Sequence, residues 1–314
     1  MKKRNFLLQN VEYYLAKGIA EFIRVIPLKT VFFLAKLFGI IAYYVDFYDR
    51  KLMIQHIMHA GIAKNKKEAA VIARANYIHM LKLGIEFLRF DQYFNSEESF
   101  RERINIIMSP EIENTVKNSK SIIFIGAHLG NWEMTGLYCS AIWHPLLSVM
   151  SPISNKKITN FILNKRENFK QQICFKKNSF KMLLNALRNG RSVGIISDEH
   201  AGKKGMETTF FGRPAMTHIS PALLHLRTGS PILLGVAVRT SDNFTYDIYM
   251  SGPFKLEKTT GNLDKDVQLL AQMYTNAIEN EVRKNPTQWI WCHKRWMDIN
   301  RETKKKKRRK KLNG

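Results

Sequence analysis

A chain of 314 residues, 45% hydrophobic and 11% aromatic, is long enough to bury a substantial core and too apolar to be a disordered polymer. Its formal charge of +24 rules out an acidic protein and points to an anionic partner: nucleic acid, an anionic membrane surface or an acidic protein. Three cysteines, Cys139, Cys174 and Cys292, at spacings that match no metal-ligand pattern, argue for buried thiols in a reducing compartment and against a disulfide framework.

The chain opens on basic residues, but Glu12, Lys17, Glu21 and Arg24 interrupt the apolar stretch after them, so it does not read as a signal peptide. Leu7, Val11, Tyr14, Leu15, Ile19, Phe22 and Ile26 recur at helical spacing and predict an amphipathic helix that Pro27 ends or kinks. Residues 31–45, VFFLAKLFGIIAYYV, are apolar except for Lys36, a run shorter than the roughly 20 residues a spanning helix needs. A helix pair lying on or dipping into one leaflet is expected, with a tilted span extended to Leu28 (Lys29 and Lys36 snorkelling) or ordinary core helices as the alternatives. Basic residues on both sides leave the positive-inside rule without a polarity. Asn65 and Glu68 form a capping pair ahead of a long helix over 65–90.

After about residue 104 the pattern alternates. Strands are expected at 121–127, 145–150, 192–197 and 231–238, with an edge strand over 244–250. Helices are expected at 130–142, 156–170, 178–189, 219–228 and 264–284. This order predicts an α/β fold with a largely parallel mixed sheet flanked by helices. The chain divides into four segments: membrane-associating helices over 1–50, a helical segment over 51–103, an α/β domain over 104–300 and a polybasic tail over 301–314. That tail carries +8 of the charge and leaves +16 for the body.

The chemistry concentrates at GAHLGNWEM, residues 126–134. Reactive groups in a parallel sheet sit at the C-terminal strand ends, where His128 falls. On a continuous helix His128 and Glu133 would stand about 140° apart, so they meet only if Gly130 and Asn131 turn the chain between them. A carboxylate on an imidazole fixes its tautomer and suits a general base acting on a hydroxyl. A loop histidine bonded to a capping Glu is the plainer alternative.

HLGNWE resembles the His-x4-Glu motif of the bacterial late (secondary) lipid A acyltransferases, the lauroyl/myristoyl transferase family. The stretch 197–239, with SDEHAG and FFGRP, the block NPTQWIWCHKRW at 285–296 and the helix RANYIHMLKLGIEFLR are similar to that family in the same order. The resemblance implies a glycerolipid-acyltransferase-like α/β domain that moves a fatty acyl chain from acyl carrier protein onto a hydroxyacyl hydroxyl of a lipid A precursor. It implies no metal and no cofactor, with acyl carrier protein, a lipid A precursor and an anionic membrane surface as partners, on the cytoplasmic face of the inner membrane. No nucleic acid is expected.

By the same resemblance His128 is the general base and Glu133 orients it. Asn131, Arg166, Asp198, Arg213, His293 and Arg295 are the expected substrate-binding set, with Trp289, Trp291 and Trp296 as an interfacial patch or as core. Many family members carry a second acidic residue two positions after the match to Asp198; here that place is His200. Three rivals stand beside this reading: an acyltransferase of another membrane glycolipid or phospholipid, a basic nucleic-acid-binding protein, and a zinc hydrolase using His128, Glu133 and His144.

Overall fold

The computed structural model describes residues 6–296 apart from 152, 168 and 177; the tail over 301–314 and the basic residues at 2–4 lie outside the described residues. Four helices come first: α1 (Phe6–Val25), α2 (Leu28–Val45), α3 (Phe47–His59) and α4 (Lys66–Tyr93). Pro27, without an N–H to continue α1, stands as the N-cap of α2. The side chain of Asn65 caps α4 by accepting from the Glu68 N–H at 3.0 Å, and the Glu68 carboxylate accepts in turn from Asn65 Nδ2 and the Lys64 N–H.

Val31, Phe32, Ala35, Gly39 and Tyr43 form a buried stripe along α2, which packs on α4. Gly39 permits the close approach, since a Cβ there would stand 2.7 Å from the Cα of Ile78. Phe33, Phe38, Ile41 and Tyr44 face outward, as do Leu7, Val11, Tyr14, Leu15 and Phe22 on α1. Among the described residues α2 is the one helix long and apolar enough to cross a membrane, with a mean hydropathy of 1.6. One of its faces is nevertheless bound to α4, as in a helix pair packed on a protein body.

The α/β part continues as α5 (Glu97–Arg103), β1 (Ile104–Ile107), α6 (Pro110–Asn118), β2 (Ile123–Gly126) and α7 (Trp132–Tyr138). Next are β3 (Leu146–Met150), α8 (Lys156–Glu167), β4 (Gln172–Phe175), α9 (Ser179–Arg188) and β5 (Ser192–Ile196). The chain closes with β6 (Met206–Phe210), β7 (Arg213–Thr217), α10 (Ser220–Thr228), β8 (Ile232–Ser241), β9 (Thr245–Phe254) and α11 (Leu263–Lys284).

Seven strands make one sheet in the order β1-β9-β8-β2-β5-β3-β4; only the β8–β9 pair is antiparallel, so the sheet is mostly parallel and flanked by helices. Its central strands are near-continuous apolar runs, as strands covered on both faces must be. One core cluster joins Val31, Phe32 and Ala35 of α2 to Phe244, Tyr246 and Ile248 around β9, so the N-terminal helices share the core of the sheet.

Three features depart from expectation. β1 and β4 are additional short strands, and with β1 outside it β9 is an interior strand, not the edge. β6 and β7 form a separate antiparallel hairpin turned by Phe211 and Gly212, both with positive φ. The helix expected over 130–142 is α7 followed by a π-helical turn over Cys139–Trp143.

Candidate active site

The site begins with strand register. β2 and β5 are parallel neighbours, with Gly126 opposite Ile196 at their last pair. Two residues beyond that pair lie His128 and Asp198, brought side by side at the C-terminal edge of the sheet.

The Asp198 carboxylate is buried, and both of its oxygens accept from the protein. Oδ1 lies 2.9 Å from His128 Nδ1, while Oδ2 accepts from the His128 backbone N–H at 2.9 Å and from the Trp289 indole at 2.8 Å. Burial works against ionising this carboxyl, but the His128 charge and hydrogen bond, helped by His293 and Trp289, hold its pKa well below the usual range. For His128, burial disfavours the imidazolium, yet the charge and hydrogen bond of Asp198 outweigh it and raise the pKa above the ordinary histidine value. With Nδ1 taken by Asp198, Nε2 is the ring nitrogen left to exchange a proton. His128 stays partly exposed, against Trp132 at 5.0 Å and His293 at 4.5 Å between ring centroids.

This corrects the sequence expectation. Asp198, not Glu133, holds the Nδ1 side of the imidazole. Glu133, in the first turn of α7, instead makes a two-pronged pair with Arg166 of α8, at 2.9 Å to Nε and 2.5 Å to Nη2. Its charge is still close enough to be a minor contributor to the raised His128 pKa. Glu133 and Arg166 are both about seven-eighths buried, so their pairing is only partly screened by solvent.

The turn between strand and helix is held on all sides. Gly130 has φ +60°, and a Cβ there would fall 2.0 Å from the carbonyl oxygen of Ala237 in β8. The Asn131 N–H donates to that same oxygen at 2.7 Å, and its side chain caps α7 by accepting from the Met134 N–H at 3.0 Å. Asn131 Nδ2 donates to Glu86 of α4, whose carboxylate also takes the Arg239 guanidinium. Residues 288–290 pair with the other side of the loop: the Gly130 N–H donates to the Gln288 carbonyl, and the Ile290 N–H to the His128 carbonyl.

Several residues of the expected substrate-binding set have their polar groups engaged within the protein. Asn131 is fully buried and spends its side chain on α7 and Glu86. Asp198 has no oxygen without a protein donor. Arg295 is 1% exposed and donates to the Glu199 and Met216 carbonyls and to Thr217 Oγ1; burial lowers its pKa to about 10. Trp289, Trp291 and Trp296 are core, not an interfacial patch. Arg213 is exposed at the start of β7 and shares no described hydrogen bond or ion pair with the cluster. Only Arg166 and His293 of that set lie at the rim of the site. His144 bonds the Val116 carbonyl through Nε2, past the far end of α7, so it does not join His128 and Glu133 in a metal set.

Sequence reasoning missed Glu199, beside His293, and Trp132 against His128. It also missed the support behind the turn. Asn76, His79 and Glu86 are polar residues at core-facing positions of α4, and that misplaced polarity in an otherwise apolar stripe is the signal that could have revealed them.

A cleft of about 750 Å³ opens between α1, α2, α4 and α8, walled by apolar side chains such as Phe22, Ile26, Phe38, Leu88, Phe161 and Ile162. Arg166 follows Ile162 by one turn of α8, so a single helix carries both the wall of the cleft and the partner of Glu133.

The family model described as bacterial lipid A biosynthesis acyltransferase matches residues 1–298. The chain belongs to that family. Among curated relatives, a phosphatidylinositol mannoside acyltransferase of Mycobacterium tuberculosis is 22% identical over 174 residues, 54% of this chain and 52% of the relative. The lipid A biosynthesis palmitoleoyltransferase of Escherichia coli K12 is 21% identical over 207 residues, 65% of each chain, as is a lipid A biosynthesis acyltransferase of Shigella flexneri. The chain thus spans about half to two thirds of the length of these relatives. Family membership agrees with the resemblance carried by the His-x4-Glu stretch, and all three relatives are named as acyltransferases.

Proposed function

We propose that this protein transfers a fatty acyl chain from an acyl carrier protein thioester to the hydroxyl of a hydroxyacyl chain on a lipid A precursor, at the cytoplasmic face of the inner membrane. The observation that carries the reading is the His128–Asp198 pair at the sheet edge. A buried carboxylate fixes one imidazole nitrogen and leaves the other to take a proton.

In the reaction, His128 Nε2 takes the acceptor's hydroxyl proton as the oxygen attacks the thioester carbonyl. The tetrahedral intermediate collapses, the C–S bond breaks, and the imidazolium returns its proton to the departing thiolate. The products are an ester and a free carrier thiol. Asp198 steadies the imidazolium. Glu133 fixes Arg166, whose positive charge stands by the developing oxyanion. The apolar cleft, within the size range of ligand pockets, takes a hydrocarbon chain, and the outward apolar faces of α1 and α2 rest in the leaflet. Excess positive charge suits both an acidic carrier and a phosphorylated acceptor.

The likeness to a phosphatidylinositol mannoside acyltransferase favours one second reading, the same chemistry on a mannosylated phosphoinositide. A competition assay separates the two. Purified protein with mixed acyl carrier thioesters receives a Kdo-bearing tetraacyl lipid A precursor and a phosphatidylinositol mannoside together, and products are weighed by mass spectrometry. One added acyl mass on the lipid A precursor supports the proposal; acylation of the mannoside alone defeats it. A nucleic-acid-binding role would instead show as complete release from membranes by salt with tight RNA retention.

A further inference from the structure

The rim of the site holds a donor set of which the proposed acyl transfer uses His128 alone. His128, His293 and Glu199 each present one ligating atom, and the three atoms lie within 4.8 Å of one another. Two imidazoles and a carboxylate match the donor set of three-ligand zinc sites, in which water or another ligand fills the fourth position. Tetrahedral zinc with bonds of about 2.0–2.1 Å needs its ligands about 3.3 Å apart, so the set must close by roughly 1.5 Å at most. The Glu199 carboxylate is exposed and, among the described residues, its one ion-pair contact is a loose 3.6 Å approach to His293, so the side chain has room to swing. Behind the set, Asp198 on His128 Nδ1 supplies the outer carboxylate that orients and strengthens a metal-binding histidine.

We propose that His128, through Nε2, together with His293 and Glu199, binds a borderline divalent cation, zinc foremost, and that its binding shuts the enzyme off. Coordination occupies the lone pair that would accept the acceptor's proton, so metal and catalysis exclude each other at one nitrogen. Magnesium, which prefers octahedral oxygen ligands, does not fit. The inhibition rests on the acyltransferase reading; the binding does not.

The test uses the whole purified protein, stripped with a chelator and titrated with Zn²⁺ by calorimetry and by competition with a chromophoric chelator. We expect about one equivalent bound with a micromolar or tighter Kd, at least tenfold weaker in Glu199→Ala and in His293→Ala, and no uptake of Mg²⁺. Thermal melts confirm that each variant is folded, and Glu199→Gln repeats the test with less change in shape. No uptake by wild type, or uptake unaltered in all three variants, overturns the site. In the acyl-transfer assay, Zn²⁺ should inhibit wild type at the concentration that fills the site, and Glu199→Ala should stay active there. Full activity of zinc-loaded wild type overturns the inhibition. Absence of acyl transfer in metal-free wild type counts instead against the function reading, while the titration still decides the site.

Discussion

Asp198 grips His128 twice, by the imidazole and by the backbone N–H, each at 2.9 Å. The grip comes from strand register. With Gly126 opposite Ile196, the two chains leave the sheet side by side, and two residues on a histidine meets a buried carboxylate. Replacing Asp198 with Asn keeps the shape but surrenders the charge and the tautomer. Asp198→Asn should lower kcat by roughly 10²–10⁴ with little change in KM. A loss confined to KM would assign Asp198 to substrate binding.

The pH profile carries a sign. His128 works as a base only when neutral, and Asp198 raises its pKa against the effect of burial. The acid limb of kcat/KM should therefore lie above the ordinary histidine value. In Asp198→Asn burial acts unopposed by that carboxylate, and the limb should move to lower pH. A limb that stays in place, or moves up, removes His128 from the role.

Glu133 and Arg166 should behave as one unit, because each holds the other in a two-pronged pair. Glu133→Gln and Arg166→Gln should each reduce kcat by similar factors, and the double variant should cost little more than either alone. A double-mutant cycle in kcat/KM reads this directly. Multiplying losses would mean that the two act separately, as they would if Glu133 served His128 alone.

Two glycines divide fold from cleft. Gly130→Ala forces a Cβ onto the Ala237 carbonyl at positive φ, and should cost roughly 2–4 kcal/mol in denaturant unfolding along with activity. Gly84, which lines the cleft on α4, has no heavy atom within 4 Å of an added Cβ. Gly84→Ala should stabilise the helix by about 0.5–1 kcal/mol. Gly84→Phe should intrude on the cleft and shift the transferred chain to shorter lengths, or slow transfer of long chains, in a product mass profile. An unaltered profile would put the chain elsewhere.

How much of this was legible depended on sequence distance. β2, β5 and β8 announced themselves as apolar runs, and α4 by its cap and period. β4 is four residues at the far edge of the sheet with Cys174 alone of them buried, and the β6–β7 hairpin turns on a Phe at positive φ, so neither fits a common pattern. His128 was legible because it follows closely on an apolar strand that ends at Gly126. Its partner was not, because Asp198 is 70 residues away and becomes a neighbour only through parallel pairing. Glu133, five residues off, was the nearest carboxylate in sequence and not the one on Nδ1. Likewise Asn131 turns the chain after the histidine and Trp289 holds its Asp198 partner, while Arg295 ties the segment after Asp198 to β7.

The most direct test sets wild type beside His128→Ala, both shown to be folded, with mixed acyl carrier thioesters and a Kdo-bearing tetraacyl lipid A precursor, read by mass spectrometry. The account predicts one added acyl mass with wild type and a loss of at least about a hundredfold in the variant. Full activity in His128→Ala would contradict it.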